Sequence, residues 1–286
     1  MSEEKQGSFE SVGYVLDSVQ KLPSMPSIVM EVLESFGNEN LSVNTLANKI
    51  SRDQAIVARV LRVANAPFFG KSGQVSSISE AISLLGFSHL RGLVAAASII
   101  NVFPYTGNVI DMPVFWRHGI GTADCAKVLA RHVGLNPEIA FTAGLLHDIG
   151  KLVMSVYFPL TFAHVHKTVS GSTIDSLRAE NAAFGLDHAA LGGEVAKRWN
   201  FPIEIRKAVE LHHTEYVASD DITLSDVIYV ANLFAKTLED GNLRKPETEH
   251  LILSADLRLK FKLDKMEELL IEAKRQYDSD VTLING

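Results

Sequence analysis

Residues 145–151 read LLHDIGK, at the end of the apolar stretch AFTAGLL that begins at Ala140. His147 and Asp148 therefore stand side by side where a fold tends to bury its chain. Both side chains can bind a metal, and neither is cheaply buried without a partner. Adjacent residues on a helix point about 100° apart, so the pair reaches one site only from the shoulder of a helix end, an ending that Gly150 permits. Two readings of these residues stay open. They can be metal ligands, or Asp148 can be paired with Lys151 or with a nearby histidine. Lys151 could balance the carboxylate or hold a phosphate oxygen as a point charge.

The 286 residues are 47% hydrophobic, enough for a sizeable core in one domain or two. No apolar run reaches the roughly 18 residues of a membrane span. The start, MSEEKQGSFE, lacks a basic region followed by an apolar segment, so a secretory signal is not expected. Cys125 is the only cysteine, which excludes an internal disulfide and a cysteine-only metal site. The expectation is a cytoplasmic protein with no membrane partner. A net charge of -7 opposes non-specific nucleic-acid binding, although a local basic patch stays open.

Hydrophobic periodicity predicts an all-α chain, a multi-helix bundle, because strict alternation persists nowhere. A short helix over 9–20 ends before LPSMPS (22–27), and another runs from Pro26 to about Phe36. Ser42 and Asp53 can cap two more, the second with Ile56, Val57, Val60, Leu61 and Ala64 on one side. Helices at 77–85 and 88–100 follow, and 104–113 reads as a loop. Further helices are predicted over 115–134, 137–147, 153–158, 172–184, 187–199 and 226–238, in a run opened by Pro202, and in the segment 250–277. The loop separates an N-terminal helical lobe, 1–110, from a histidine-bearing lobe, 111–286, whose last helices would cover a core.

Four histidines could join His147 and Asp148. His118 shares a helical stripe with Thr122, Cys125 and Leu129, where a histidine can equally be a satisfied core residue. His188 follows Asp187, a candidate helix cap, and Gly192 and Gly193 keep that surface small enough for close approach. Of the adjacent His212 and His213, one is expected to aim inward; the other could serve a second metal, a supporting hydrogen bond, or solvent. As a set, these residues could build one or two octahedral sites for iron, manganese or another divalent metal, activating water and holding a phosphate in line. Cys125 reads as a small buried residue, Trp116 and Trp199 as core or interface aromatics, and Asn65 as a cap at its helix end. His164 and His166, two apart, suit a strand or loop site better than a helix, and read as solvated side chains. His89, His132 and His250 show no partner.

Several stretches, in order, resemble the HDOD family, a relative of the HD-domain phosphohydrolases. They are LPSMPSIVMEVL (22–33), ISRDQAIVARVLRVANAPFFG (50–70), ISEAISLLGFSHLRGLV (78–94), FWRHGIGTADCAKVLA, AFTAGLLHDIGKLVM and GLDHAALGGEVAKRWNFPIEIRKAVELHH. The resemblance implies an N-terminal helical lobe packed on an HD-like lobe. It also implies a bacterial signalling or regulatory role in which many members have lost parts of the metal site. No receiver or sensor domain fits in the chain, so a separate signalling protein is the expected partner. Carried over by motif, His118, His147, Asp148, His188, His212 and His213 fall on metal-ligand positions. Asn232, in DVIYVANLFAK, stands where active members carry an aspartate, and an amide is a poorer ligand for a hard cation. The GYP signature of cyclic-dinucleotide hydrolysis is absent after the HD pair.

Three functions compete. A metal-dependent phosphohydrolase would use Asp148 and Lys151 as catalytic groups on a phosphomonoester or phosphodiester, a phosphate-containing small molecule, with iron, manganese, nickel or magnesium as cofactor. A signalling module would keep a degenerate pocket and could use Arg59 and Arg62 as an interaction face. The segment LSVNTLANKISRDQAIVARVLRVAN superficially resembles a helix-turn-helix, but its joining SRD lacks glycine and the net charge opposes nucleic acid.

Overall fold

The computed structural model describes residues 10–25, 54–65, 75–82, 109–168, 173–214, 221–239, 257–261 and 267–275, with isolated positions elsewhere. Among these residues no strand occurs, as the periodicity predicts. Helix α1, Val12–Gln20, starts at Ser11, whose hydroxyl accepts the Tyr14 N–H. Helix α2, Gln54–Ala64, buries Ile56 and Val60 and half-buries Val57 and Leu61, four of the predicted stripe residues. Asn65 does not cap its own helix. Its carboxamide instead holds both backbone groups of Val75, at 2.7 and 3.0 Å. The helices expected over 26–36, 42–50 and 88–100 lie mostly outside the described residues, as do His89, His250 and the side chains of Arg59 and Arg62.

Helix α3, Met112–Val133, starts earlier than predicted. Asp111 accepts the Val114 N–H at 3.0 Å, and Pro113 sits in the first turn, where a missing N–H does no harm. The loop assigned to 104–113 is therefore too long at its end. Gly134, in the left-handed region at φ 75, closes this helix. Helices α4, Pro137–Leu146, and α5, Ile149–Tyr157, flank His147 and Asp148. Helix α6, Pro159–Thr168, corrects the strand-or-loop reading of His164 and His166. His166 stacks on Phe162, one turn earlier, at 4.1 Å between ring centres.

The remaining helices are α7, Thr173–Phe184; α8, His188–Arg198; α9, Ile203–Leu211; and α10, Leu224–Glu239. Asp187 caps α8 as expected, accepting the Ala190 N–H at 2.9 Å. At α10, Thr223 is the cap: Thr223 and Asp226 exchange side-chain and backbone hydrogen bonds. Helix α3 packs along α4 and α10, while α8 packs on α9 and α5. Phe141, Phe184, Phe234, Leu129 and Leu146 fill the space between. Trp116 and Trp199 are buried, and the Trp199 indole N–H donates to the Pro23 carbonyl at 2.9 Å.

One stretch, Pro137–Tyr157, does have the length and mean hydropathy (1.3) of a membrane span, which corrects the expectation of none. That stretch is 78% buried inside the protein and is broken at His147 and Asp148. Its apolar character serves the core.

Gly150 does not end a helix, as its position suggested, but is the second residue of α5. Its role is close approach. A Cβ there would collide with the His188 carbonyl oxygen and lie 2.9 Å from the Gly192 nitrogen. Helices α5 and α8 thus cross through two facing glycines, which brings Asp148 beside His188. Gly150→Ala should destabilise the fold by about 1–3 kcal/mol, an overpacking penalty, in urea unfolding. Gly13→Ala, with nothing within 4 Å of the new Cβ, should be neutral or stabilising by up to about 1 kcal/mol.

Candidate metal centre

Helix ends converge on one buried chamber. His118 comes from the second turn of α3, and His147 with Asp148 forms the turn between α4 and α5. His188 is the first residue of α8, and His212 and His213 form the turn leaving α9. Asn232 comes from the middle of α10. Every residue singled out as a candidate ligand therefore lies here, including side chains far apart in sequence. His147, His212, Asp148 and His188 are buried; His118 and His213 are half-buried.

The Asp148 carboxylate lies at the middle. Its Oδ1 is 3.1 Å from His188 Nε2 and 3.7 Å from His212 Nε2. Its Oδ2 is 3.5 Å from His147 Nε2 and accepts a hydrogen bond from Lys151 Nζ at 2.7 Å. Both pairings foreseen for Asp148, with lysine and with histidine, thus occur together. His213 Nε2 lies 3.1 Å from His188 Nε2, and Asn232 Oδ1 lies 3.1 Å from His118 Nε2. Two groups result that share Asp148: one with His188, His212 and His213, the other with His118 and His147. Within each group the potential ligand atoms lie within 4.8 Å of one another.

Four of the imidazoles are held from behind in the same way. Nδ1–H of His147 donates to the Gly144 carbonyl and that of His212 to the Val209 carbonyl, both at 2.7 Å. Nδ1 of His188 meets Glu180 Oε2 at 2.6 Å, and Nδ1 of His118 meets Glu239 Oε1 at 3.1 Å. A carbonyl or carboxylate can only accept, so each contact places the proton on Nδ1 and turns Nε2 toward the chamber. Nε2 of His147, Nε2 of His212 and Oδ1 of Asp148 are buried without a hydrogen-bond partner. Buried polar atoms are normally satisfied. Three unsatisfied atoms of ligating type around one carboxylate fit a cation, and this cluster of buried histidines and aspartate could coordinate a metal ion.

Electrostatics favour that fit at Asp148, His147, His212 and His213, and oppose it at His188. Burial holds His147 well below the usual histidine value; Asp148 opposes the shift, while His212 and His118 reinforce it. Burial also lowers His212 and His213, the latter further through the two imidazoles beside it. Neutral rings with free Nε2 lone pairs are the ligating form. Burial alone would raise the Asp148 carboxyl, but His147, Lys151 and the contacts with His188 and His212 hold it well below the usual range. Burial and Lys151 push His188 down, yet Glu180 and Asp148 outweigh them and raise it.

Two expectations change. His212 and His213 both reach the chamber, because α9 ends at Leu211 and the following turn frees both from helical spacing. Glu180 and Glu239 were missed. Glu180 shares a stripe with Leu177 and Phe184 at spacings of three and four, so an acid on an inward phase was readable in α7. Nothing near Glu239 distinguishes it from an ordinary helix-end acid. His132 has a partner after all, Glu272 at 3.2 Å. Burial, followed by the Asp124 charge, pushes the Cys125 thiol well up, in keeping with a buried small residue.

The Asp148 shift fixes a pH dependence. The carboxyl binds its proton more weakly when folded, so the unfolded chain takes up more protons as pH falls through about 4. The stabilisation is complete above that pH and is lost on further acidification. With chelator present, the urea midpoint of the wild type should drop below about pH 4, and that of Asp148→Asn should drop less over the same window. Equal slopes would contradict the assignment.

Comparison with known proteins gives the arrangement its family. The HDOD domain profile matches residues 22–215. A Treponema pallidum (strain Nichols) protein without an assigned function is 25% identical over 248 residues, covering 84% of this chain and 47% of its own length. Ribonuclease Y of Petrotoga mobilis is 30% identical over 136 residues, 48% of this chain and 20% of the enzyme. The chain thus spans about half the length, or less, of these curated relatives. A crystal structure from Shewanella amazonensis SB2B, provisionally assigned as a phosphohydrolase, is 27% identical with a TM-score of 0.67, covering 92% of this chain and 97% of that one. With the domain profile spanning more than half of its length, the chain belongs to the HDOD family.

Proposed function

We propose that this chain is a cytoplasmic bacterial signalling module of HDOD type that acts on a separate signalling protein and retains an HD-type metal centre. The boundary near residue 110, between an N-terminal helical lobe and an HD-like lobe, belongs to the same proposal. The observation that carries the metal centre is the set of buried, unsatisfied atoms on His147, His212 and Asp148. Asp148, His188, His212 and His213 would hold one divalent ion, and His118, His147 and Asp148 a second. Iron, manganese, nickel and magnesium are the candidates. A bound divalent cation supplies an acidified water and polarises a phosphoryl oxygen.

Asn232 favours a module over an enzyme. It brings a neutral amide to His118 where a carboxylate would offset the charge of a second cation. The second reading, a metal-dependent phosphohydrolase acting on a phosphomonoester or phosphodiester, draws support from Lys151. Its ammonium is partly open to solvent and lies beside Asp148, within reach of an incoming phosphate oxygen. The local similarity to ribonuclease Y points the same way. In that reading Asp148 orders the histidines, and Lys151 stabilises charge on the phosphate.

Elemental analysis of the purified wild type, Asp148→Ala and His212→Ala tests the centre. The wild type should carry near-stoichiometric metal and both variants should lose it. Hydrolysis of p-nitrophenyl phosphate and bis-p-nitrophenyl phosphate then separates the readings. Bound metal without turnover supports the module, and turnover abolished in Asp148→Ala supports the hydrolase. A wild type that takes up no divalent metal overturns both.

A further inference from the structure

We propose that Glu180 is the positioning residue of the centre: it fixes which nitrogen of His188 faces the chamber and holds the ring there. The inference rests on the metal-centre reading above. Glu180 belongs to α7, outside the converging helix ends, and has no exposed surface. One oxygen, Oε2, takes two hydrogen bonds from the same residue. His188 Nδ1–H donates at 2.6 Å, and the His188 backbone N–H donates at 2.8 Å. His188 is the first residue of α8, so that backbone N–H has no acceptor within its own helix. A single carboxylate from a neighbouring helix thus satisfies the start of α8 and orients its first side chain.

The geometry asks for a charge, not merely for an acceptor. A glutamine oxygen of the same length could accept both hydrogen bonds without burying a negative charge. A buried carboxylate is expensive unless it is paired. Glu180 Oε1 also lacks a hydrogen bond, and His166 Nε2 lies 3.9 Å from Glu180 Oε1. The charge makes sense behind an imidazole whose other nitrogen must donate electrons. A carboxylate on Nδ1–H raises the basicity of Nε2 and locks the tautomer. His188 Nε2 accordingly faces Asp148 Oδ1 and His213 Nε2, each at 3.1 Å. His147 and His212 receive only neutral carbonyls at the same place. Glu180 therefore adds negative charge behind a centre that has an amide, Asn232, beside His118.

Titration with cobalt(II) alone, followed by visible absorbance and calorimetry, tests this role. Full-length wild type, Glu180→Gln, Glu180→Asp and the surface control Glu194→Gln are compared, each also melted in chelator. The expected result is wild-type-like melting of metal-free Glu180→Gln with cobalt affinity about 10–100-fold weaker and shifted absorption bands. Glu194→Gln should match the wild type. In zinc-loaded protein with 15N-labelled histidine, the downfield Nδ1–H resonance of His188 should move upfield in Glu180→Gln. Wild-type affinity and bands in Glu180→Gln overturn the positioning role while leaving the metal reading intact; no cobalt uptake by the wild type ends both. If the glutamine variant does not fold, Glu180→Asp decides: it keeps the charge but withdraws it by one methylene. It too should bind cobalt more weakly, and wild-type affinity overturns the proposal. Unfolding of both variants marks Glu180 as a purely structural residue and also overturns it.

Discussion

A buried carboxylate needs partners, and Asp148 meets them from three directions: the Lys151 ammonium donates to it, and three imidazole Nε2 atoms stand close around it. His147 and Lys151 flank it within its own segment, His188 comes from α8, and His212 comes from the end of α9. The contacts with His188 and His212 do not survive if the helices separate by even one side-chain layer. The glycine crossing of α5 and α8 is what lets them meet: Gly150 and Gly192 remove the bulk that would hold the His188 backbone away from Asp148. Packing and polar chemistry are therefore one constraint here. The apolar stretch on either side of the HD pair fills the core, and its interruption at residues 147 and 148 exposes the pair to the chamber.

That coupling explains which parts of the molecule could be read from the sequence. Helices with a capping side chain and an apolar stripe, such as α8 behind Asp187, were legible because both signals are local. The members of the chamber were legible because His, Asp and glycine residues recur near helix ends. The errors have equally physical causes. Pro113 reads as a loop residue in the sequence although a first turn tolerates it. Helix α6 was missed because Pro159 and two histidines dilute its apolar signal, and packing of His166 on Phe162 is invisible to composition. Gly150 was given a backbone role when its contribution is the absence of a side chain facing α8, a property of a distant segment.

The acids behind the histidines were hardest to see for a related reason. A metal-ligand pattern directs attention to residues that could touch the ion, whereas Glu239 touches only the far nitrogen of His118. Its spacing of seven from Asn232 puts both on one face of α10, so one helix meets both nitrogens of His118, with an amide at one and a carboxylate at the other. The asymmetry matters for charge. An aspartate at 232 would place its negative charge directly on the chamber. Glu239 keeps a charge one ring further out, where it can polarise His118 but can offset a cation only weakly.

This distribution bears on why such a centre would bind more readily than it turns over. Ligation needs the right nitrogen turned inward, and four separate acceptors on Nδ1 supply that orientation, while burial keeps His147 and His212 neutral. Catalysis needs more: charge must be stabilised where it develops, and the cation must not be so underneutralised that it holds an anionic ligand or product too tightly. Among the described residues Asp148 is the carboxylate shared by both groups, and Lys151 is already paired to it, so the cluster offers several ligating atoms for a cation and little negative charge to balance one. A site with that imbalance suits a protein whose folded shape depends on what occupies it, since any ligand bound only by the folded form stabilises that form by mass action.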